Sequence, residues 1–355
     1  MKRTQPAIIV DSGKLRVICN ELVQRYNRRS YPYNLKQSTL PQDRIHLPPD
    51  IDSGSLEHAL FLFFLCLYMR GSDGSVASAN RMSRLLMRRR EFFDPAVAAN
   101  ISEESLAQSL REVELTFNLR FNPSYWIENA WRLNQWYDGD PRKIFVEAGD
   151  WRELFARLEN KDRTGNNGTV LHRQGFCGFG PKIASMLCYY FKEADVLALP
   201  PFPIPVDFHI MRLMVANEVV RLRPDSTDGN FLSHRLVRTL QWSFVVYCQE
   251  TGVDEIALAN ALWLASKVLC SQAPGNRSSV GKYAARRTEI VDYEPTWGAR
   301  DLKAYAKSCG SCPLESTCQW NIPSSYYYVR GRIQRRPGGR LKPPATMTQL
   351  VMPLD

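Results

Sequence analysis

The chain has 355 residues, enough for one large domain or two with a substantial core. Lys and Arg number 46 against 36 Asp and Glu, a formal net charge of +10 that favours a polyanionic partner. The most apolar run, Ala59 to Met69, is too short to span a bilayer, and the 9 cysteines follow no apolar leader, so a disulfide framework and a membrane partner are excluded and a cytoplasmic protein is expected.

In chain order, Lys14 to Asn27 places Leu15, Ile18, Leu22 and Val23 on one face of an amphipathic helix. The stretch from Arg28 through YPYN to about Ser55 is rich in proline and reads as a linker. From Leu56 the pattern is persistently helical. Leu56 to Met69 is a buried helix, and Ser75 to Arg90 ends in the basic run RMSRLLMRRR. Glu103 to Leu115 follows an N-cap candidate at Ser102, and Tyr125 to Tyr137 carries Trp126, Trp131 and Trp136. Short helices at Pro141 to Ala148 and Asp150 to Leu158 precede a turn at Asn166-Asn167-Gly168. No run alternates as a strand would, and the expected fold class is all-α.

The segment Gly175 to Glu218 holds the densest chemistry. Gly178-Phe179-Gly180 is a turn signal, and Pro181 stands at a first helical position, where its missing N–H costs nothing. Glycines there let the backbone approach a ligand, and first-turn amides attract an anion such as a phosphate. An ordinary αα-hairpin turn is the alternative reading. A connection with Pro200, Pro201, Pro203 and Pro205 then leads to Val206-Asp207-Phe208-His209, where Asp207 equally suits an N-cap. Leu236 to Tyr247 and Glu255 to Leu269 are apolar helices, and Ser271 to Ser308 is polar and basic. Cys309, Cys312 and Cys318 form C-x2-C-x5-C; with a fourth thiolate they serve either zinc or an iron–sulfur cluster, and the spacing does not choose. Cys19, Cys66, Cys177, Cys188 and Cys248 lie in apolar surroundings and read as core. Beyond Ser325 the stretch is basic with no acid until the last residue, the composition of a flexible tail.

G-F-G-P-K-I-A followed by V-D-F-H-I-x-R resembles the helix-hairpin-helix DNA glycosylase superfamily, across roughly Leu56 to Cys318. The resemblance implies a two-domain helical architecture. One domain, 55–204, contains the hairpin, and another, 205–325, carries the catalytic aspartate and an iron–sulfur loop. Residues 1–54 are then an N-terminal helix and linker packing with the latter, and 326–355 a basic tail. It implies Asp207 as the catalytic carboxylate and Lys182 as the mark of members that also cleave the strand. Amides of Gly178 and Gly180 would contact phosphate, beside a monovalent cation. In the endonuclease III branch a side chain after the first buried helix fills the gap left by the extruded base; Arg70 falls there, with a helix C-terminal cation as the plain alternative.

CGSC-x5-C is similar to the end of the endonuclease III iron–sulfur loop, which favours a 4Fe–4S cluster over zinc. The place of that family's first ligand is here Leu302, so Cys270, at the end of WLASKVLC, is the substitute. The implied activity is excision of a flipped base from double-stranded DNA by a monomer, with an associated β-lyase step through Lys182. A non-catalytic iron–sulfur DNA-binding protein and an RNA- or nucleoside-directed glycosidase are the competing classes. The excised base is not legible: repair lesions and bulky modified bases, such as the modified cytosines of some phage genomes with an antiviral role, are both compatible.

Overall fold

The computed structural model describes residues 8–69, 74–165, 169–222, 229–270, 303, 307–318, 326–329 and 332–335. In chain order it runs β1 (Ile8–Val10), α1 (Ser12–Asn27), α2 (Leu56–Cys66), α3 (Ser75–Arg88), α4 (Pro95–Ala98), α5 (Glu103–Glu112), α6 (Asn122–Tyr137) and α7 (Trp151–Leu158). There follow β2 (Arg163–Thr164), β3 (Val170–His172), α8 (Pro181–Glu193), α9 (Phe208–Ala216), β4 (Val220–Leu222), α10 (Gly229–Thr251), α11 (Glu255–Val268), β5 (Tyr326–Val329) and β6 (Arg332–Arg335). The fold is all-α, since the strands only form short antiparallel ribbons, β1 with β4, β2 with β3 and β5 with β6. These ribbons escaped the sequence reading because strands of two to four residues leave no alternation to detect. The segment expected as a helix from Pro141 to Ala148 is only a 3-10 turn, Pro141–Phe145, closed by Glu147 at a positive φ of 60°. Among the described residues no helix is long and apolar enough to cross a membrane.

The chain divides into two compact units. One is the continuous stretch Thr39–Pro205; the other joins Met1–Ser38 to Val206–Asp355. At the centre of the continuous unit lies α2. Its sequence LEHALFLFFLC has almost no polar face, so its side chains from His58 to Cys66 are all buried, and Ser55 Oγ accepts the His58 N–H at its start. Around it Phe64 stacks on Trp126 with ring centroids 4.4 Å apart, and Phe63 stacks on Phe179 at 5.2 Å. Trp126 is fully enclosed because its indole N–H finds the Phe92 carbonyl at 2.9 Å.

In the discontinuous unit α1 lies against α11 through the face that Leu15, Ile18 and Leu22 define. Tyr33 donates to the Ala261 carbonyl at 3.0 Å, and Asn260 donates to the Tyr26 hydroxyl at 3.1 Å. Asp11 caps α1 and its own N–H donates to the Val219 carbonyl at 2.8 Å, so the strand pairing of β1 with β4 runs straight into the helix.

Candidate functional site

The loop from Gly175 to Gly180 joins the α7 end of the chain to α8, and it is held on all sides. Leaving α7, the chain makes an excursion through the β2–β3 ribbon and returns beside its own departure. Phe176 donates to the Leu158 carbonyl at 3.0 Å, Asn160 to that of Phe179 at 2.9 Å, and Lys161 to that of Gln174 at 3.0 Å. Gly175 is required here: its φ is 70°, and a Cβ would stand 1.9 Å from the Glu159 carbonyl oxygen.

Two side chains of α6 complete the cradle. Asn129 reads the backbone of Cys177 twice, donating to its carbonyl at 3.0 Å and accepting its N–H at 2.7 Å. Arg132, 1 % exposed, donates to the Gly175 carbonyl at 2.7 Å and grips both oxygens of Asp162 at 2.7 and 3.1 Å. Burial alone would depress that guanidinium, but its hydrogen bonds to Asp162 and Glu128 prevail and hold it protonated. Neither residue was singled out from the sequence; polar positions inside the tryptophan-rich α6 were the only signal.

Gly178 has a φ of 80°, and Gly180 caps α8 with no side chain. Space beside Gly180 is open, for a Cβ there would meet no atom within 4 Å. Pro181 follows at the helix start, as expected, and Phe176 and Phe179 on either side are buried anchors. The Cys177 thiol is pushed up to about 11, burial being the largest cause, so at neutral pH it is a protonated core group and no nucleophile.

Lys182 is half-buried, and its Nζ donates to the Met69 carbonyl at 2.6 Å. Met69 is also touched by Tyr190, whose hydroxyl donates to its sulfur at 3.3 Å. The amine thus sits where the carbonyl end of α2 runs out, a setting that favours a cation. Arg70, the expected gap-filling residue, lies outside the described residues, as do Leu302 and the whole stretch 271–302.

In the discontinuous unit Asp207 caps α9. Its Oδ1 accepts the backbone N–H groups of His209 at 2.8 Å and Ile210 at 3.1 Å, while Oδ2 accepts the indole N–H of Trp263 at 3.1 Å. Both oxygens are therefore oriented, one by the helix end and one by α11. The His209 ring meets Trp263 edge-on at 5.9 Å, and the Lys267 ammonium stands 4.5 Å from the Trp263 ring centroid. Trp263 was read from sequence as part of an apolar core helix; a tryptophan N–H that needs a partner when enclosed was the available clue.

Cys270 lies just past the end of α11, and Cys309, Cys312 and Cys318 sit on a run of turns. Cys270, Cys312 and Cys318 stand close enough to Cys309 to act on its thiol electrostatically, and burial pushes the Cys309 and Cys312 thiols up. The Leu314 N–H points at Cys312 Sγ at 3.4 Å and the Ser308 hydroxyl at Cys309 Sγ at 3.4 Å. The Thr317 hydroxyl, which donates to Asn217 at 2.8 Å, ties the run of turns to the residue after α9, and Leu314 in the same run is buried. Among the described residues no group of three or more His, Cys, Asp or Glu is placed to hold a metal ion. The donor chemistry, four thiols with N–H and O–H groups aimed at sulfur, suits a soft metal centre. The other five cysteines are buried, as expected of core residues.

No protein-family model matches the sequence, and no curated protein matches it. Among solved structures the chain is similar to a trapped endonuclease III–DNA covalent intermediate (an estranged-adenine complex), with a TM-score of 0.46 and 13% identity over 89% of this chain and 99% of the other. A non-covalent endonuclease III–DNA complex gives a TM-score of 0.46 and 14% identity over the same shares.

Proposed function

We propose that the protein is a DNA glycosylase that excises a flipped base, with an associated lyase step. The observation that carries this reading is the fixed carboxylate of Asp207. Two backbone amides and an indole hold it, in the V-D-F-H position that the resemblance marks as catalytic. Breaking a glycosidic bond develops positive charge on the sugar, and an oriented carboxylate stabilises that charge without reorganising. A base within a duplex is out of reach of such a group, so the nucleotide leaves the stack first.

Lys182 is the amine for the second step. Its nitrogen gives up a proton to water, leaves the Met69 carbonyl and as the neutral amine forms a bond to C1′; the bond from C1′ to the base breaks, and the base departs with the bonding pair and takes up the second proton that the nitrogen sheds. The C1′–O4′ bond of the sugar ring then breaks, O4′ takes up a proton, and the resulting iminium loses a proton from C2′, the C3′–O bond breaks and the 3′ phosphate leaves. Water then hydrolyses the imine and returns the lysine. Amides around Gly178 and Gly180 would hold a backbone phosphate, with a monovalent cation on the loop carbonyls.

Cys270, Cys309, Cys312 and Cys318 are the residues that would hold a 4Fe–4S cluster, or zinc in its place. Such a group supplies a cross-link between the end of α11 and the Ser308–Cys318 turns. In base removal it has no step.

The connection before Asp207 favours a bulky substrate. Pro203 and Pro205 are buried, and Phe202 and Ile204, 1 % and 0 % exposed, pin the stretch while Pro200 and Pro201 stay at the surface. Prolines fix φ, so the connection is stiff and keeps its shape without a ligand. The resemblance implies that this connection runs beside the mouth of the base pocket, where a stiff one would keep room for a glycosylated cytosine of the kind found in phage DNA, which would give the enzyme an antiviral role. Duplexes carrying uracil, thymine glycol, an oxidised purine or glucosylated hydroxymethylcytosine, assayed for free base, test this directly. Release of the glucosylated base first is expected. Fast release of small lesions alone would make it an ordinary repair enzyme, and no release from any duplex or from RNA would end the glycosylase reading.

A further inference from the structure

We infer that the β2–β3 ribbon, through Lys161, Arg163 and His172, is a second DNA-backbone contact, spliced into the hairpin loop; this rests on the reading of the protein as DNA-directed. Every described residue of β2 and β3 is exposed, including Val170 at 43 % and Leu171 at 72 %. A two-stranded ribbon whose described strand residues are all exposed is marginal in water, so its position must come from its base. That base is rigid, being the same set of bonds that fixes Gly175: Asp162 in the grip of Arg132, and Lys161 paired with Gln174.

The charges are sorted by face. Asp162 is the ribbon's single acid, and it is turned inward, with only 14 % of its side chain exposed, to meet Arg132 and the Gln174 N–H. Arg173 leans on α6 with 46 % of its side chain exposed, 4.6 Å from the Trp131 ring centroid and 2.9 Å from Glu128, so its charge is partly met there. His172 and Arg163 stand opposite each other in the register, so they share a face, and both are exposed. Lys161 and Arg163 are exposed, and among the described residues no acidic side chain pairs with either. An outward face with lysine, arginine and histidine and its one acid consumed inside is complementary to phosphate. Because it springs from the loop that carries Gly178 and Gly180, the two contacts share one rigid mount.

The test is the salt dependence of binding to an undamaged 24-base-pair duplex, read by fluorescence anisotropy for the full chain. Each phosphate contact contributes about 0.9 to the slope of log K against log salt, so Lys161→Ser with Arg163→Ser should lower that slope by ~1.8. Replacing both with Glu should weaken binding further, and Arg111→Ser on α5 should leave the slope unchanged. All three positions are solvent-exposed, and an unchanged thermal midpoint shows that the fold is intact. A wild-type slope retained in the double serine variant overturns the ribbon contact while leaving the glycosylase reading in place. Wild-type protein that binds no duplex overturns the DNA-directed reading itself, and a ribbon effect seen on single-stranded RNA but not on duplex DNA overturns the choice of partner.

Discussion

The indole N–H of Trp263 and Oδ2 of Asp207, 3.1 Å apart, link the middle of α11 to the start of α9. This bond leaves Oδ1 to the helix amides and sets the plane of the carboxylate. Trp263→Phe keeps a ring for His209 and Lys267 but removes the donor. A hydrogen bond to a charged group contributes ~1.5–3 kcal/mol, so base release under single-turnover conditions should slow by roughly tenfold or more. Affinity for the same duplex should stay within about twofold. Equal rates in the two proteins would show that the indole only packs.

Asp207→Asn separates capping from chemistry. Asparagine caps helices about as well as aspartate, so its cost in stability should be well under ~1 kcal/mol, whereas Asp207→Ala should lose ~1 kcal/mol. Base release should vanish in both, with DNA binding retained. Turnover by a folded Asp207→Asn protein at the wild-type rate would remove Asp207 from the mechanism.

Borohydride should trap wild-type protein on a cleaved duplex as a covalent adduct, and Lys182→Ala should give none. Loss of the Nζ bond to the Met69 carbonyl also frees the chain just before residue 70, so the variant should show a small drop in thermal midpoint. If wild-type protein releases base but yields intact abasic strand and no adduct, the amine is a backbone contact and the enzyme is monofunctional.

Asn129→Ala leaves the N–H and the carbonyl of Cys177 buried without their partner. Two such groups cost about 2–6 kcal/mol together, which calorimetry will register as a fall in thermal midpoint. Duplex affinity should fall as well, since the same bonds place the loop through Gly178. Stability close to wild type would mean that Arg132 and the backbone bonds to Leu158 and Asn160 hold the loop without Asn129.

Anaerobically purified protein should be brown and contain iron, with a broad absorbance near ~400 nm from thiolate-to-iron charge transfer. Serine at Cys270, Cys309, Cys312 or Cys318 should bleach it, and Cys248→Ser, in the packed interior of α10, should not. Colourless protein with one zinc per chain would replace the cluster by a Cys-bound zinc.

Much of this was legible because it follows from local chemistry. Proline after glycine marks a helix start wherever it occurs, and Pro181 stands at the start of α8. Asp207 was identifiable as a cap from its place before an apolar stripe, and α2 as core from a composition with no polar face. What the sequence hid is long-range. Arg132 bonds to residues 30 and 43 positions away, and Trp263 to one 56 positions away. No periodicity announces such partners. The β2–β3 ribbon was invisible for another reason: its strands are too short for alternation to rise above chance, and a bulge in its register breaks what alternation there is.

Joining Met1–Ser38 to Val206–Asp355 in one unit has a consequence for biosynthesis. Tyr33 emerges from the ribosome 228 residues ahead of Ala261, its hydrogen-bond acceptor. At ~5–20 residues per second that interval is roughly 10–50 s. Throughout it the apolar stripe of α1 has no α11 to cover it, while Thr39–Pro205, being continuous, can close its own aromatic core on the way out. The nascent chain therefore passes through a stage with one finished globule and an uncovered, sticky α1, and chaperone engagement should concentrate on that helix until α11 has been made.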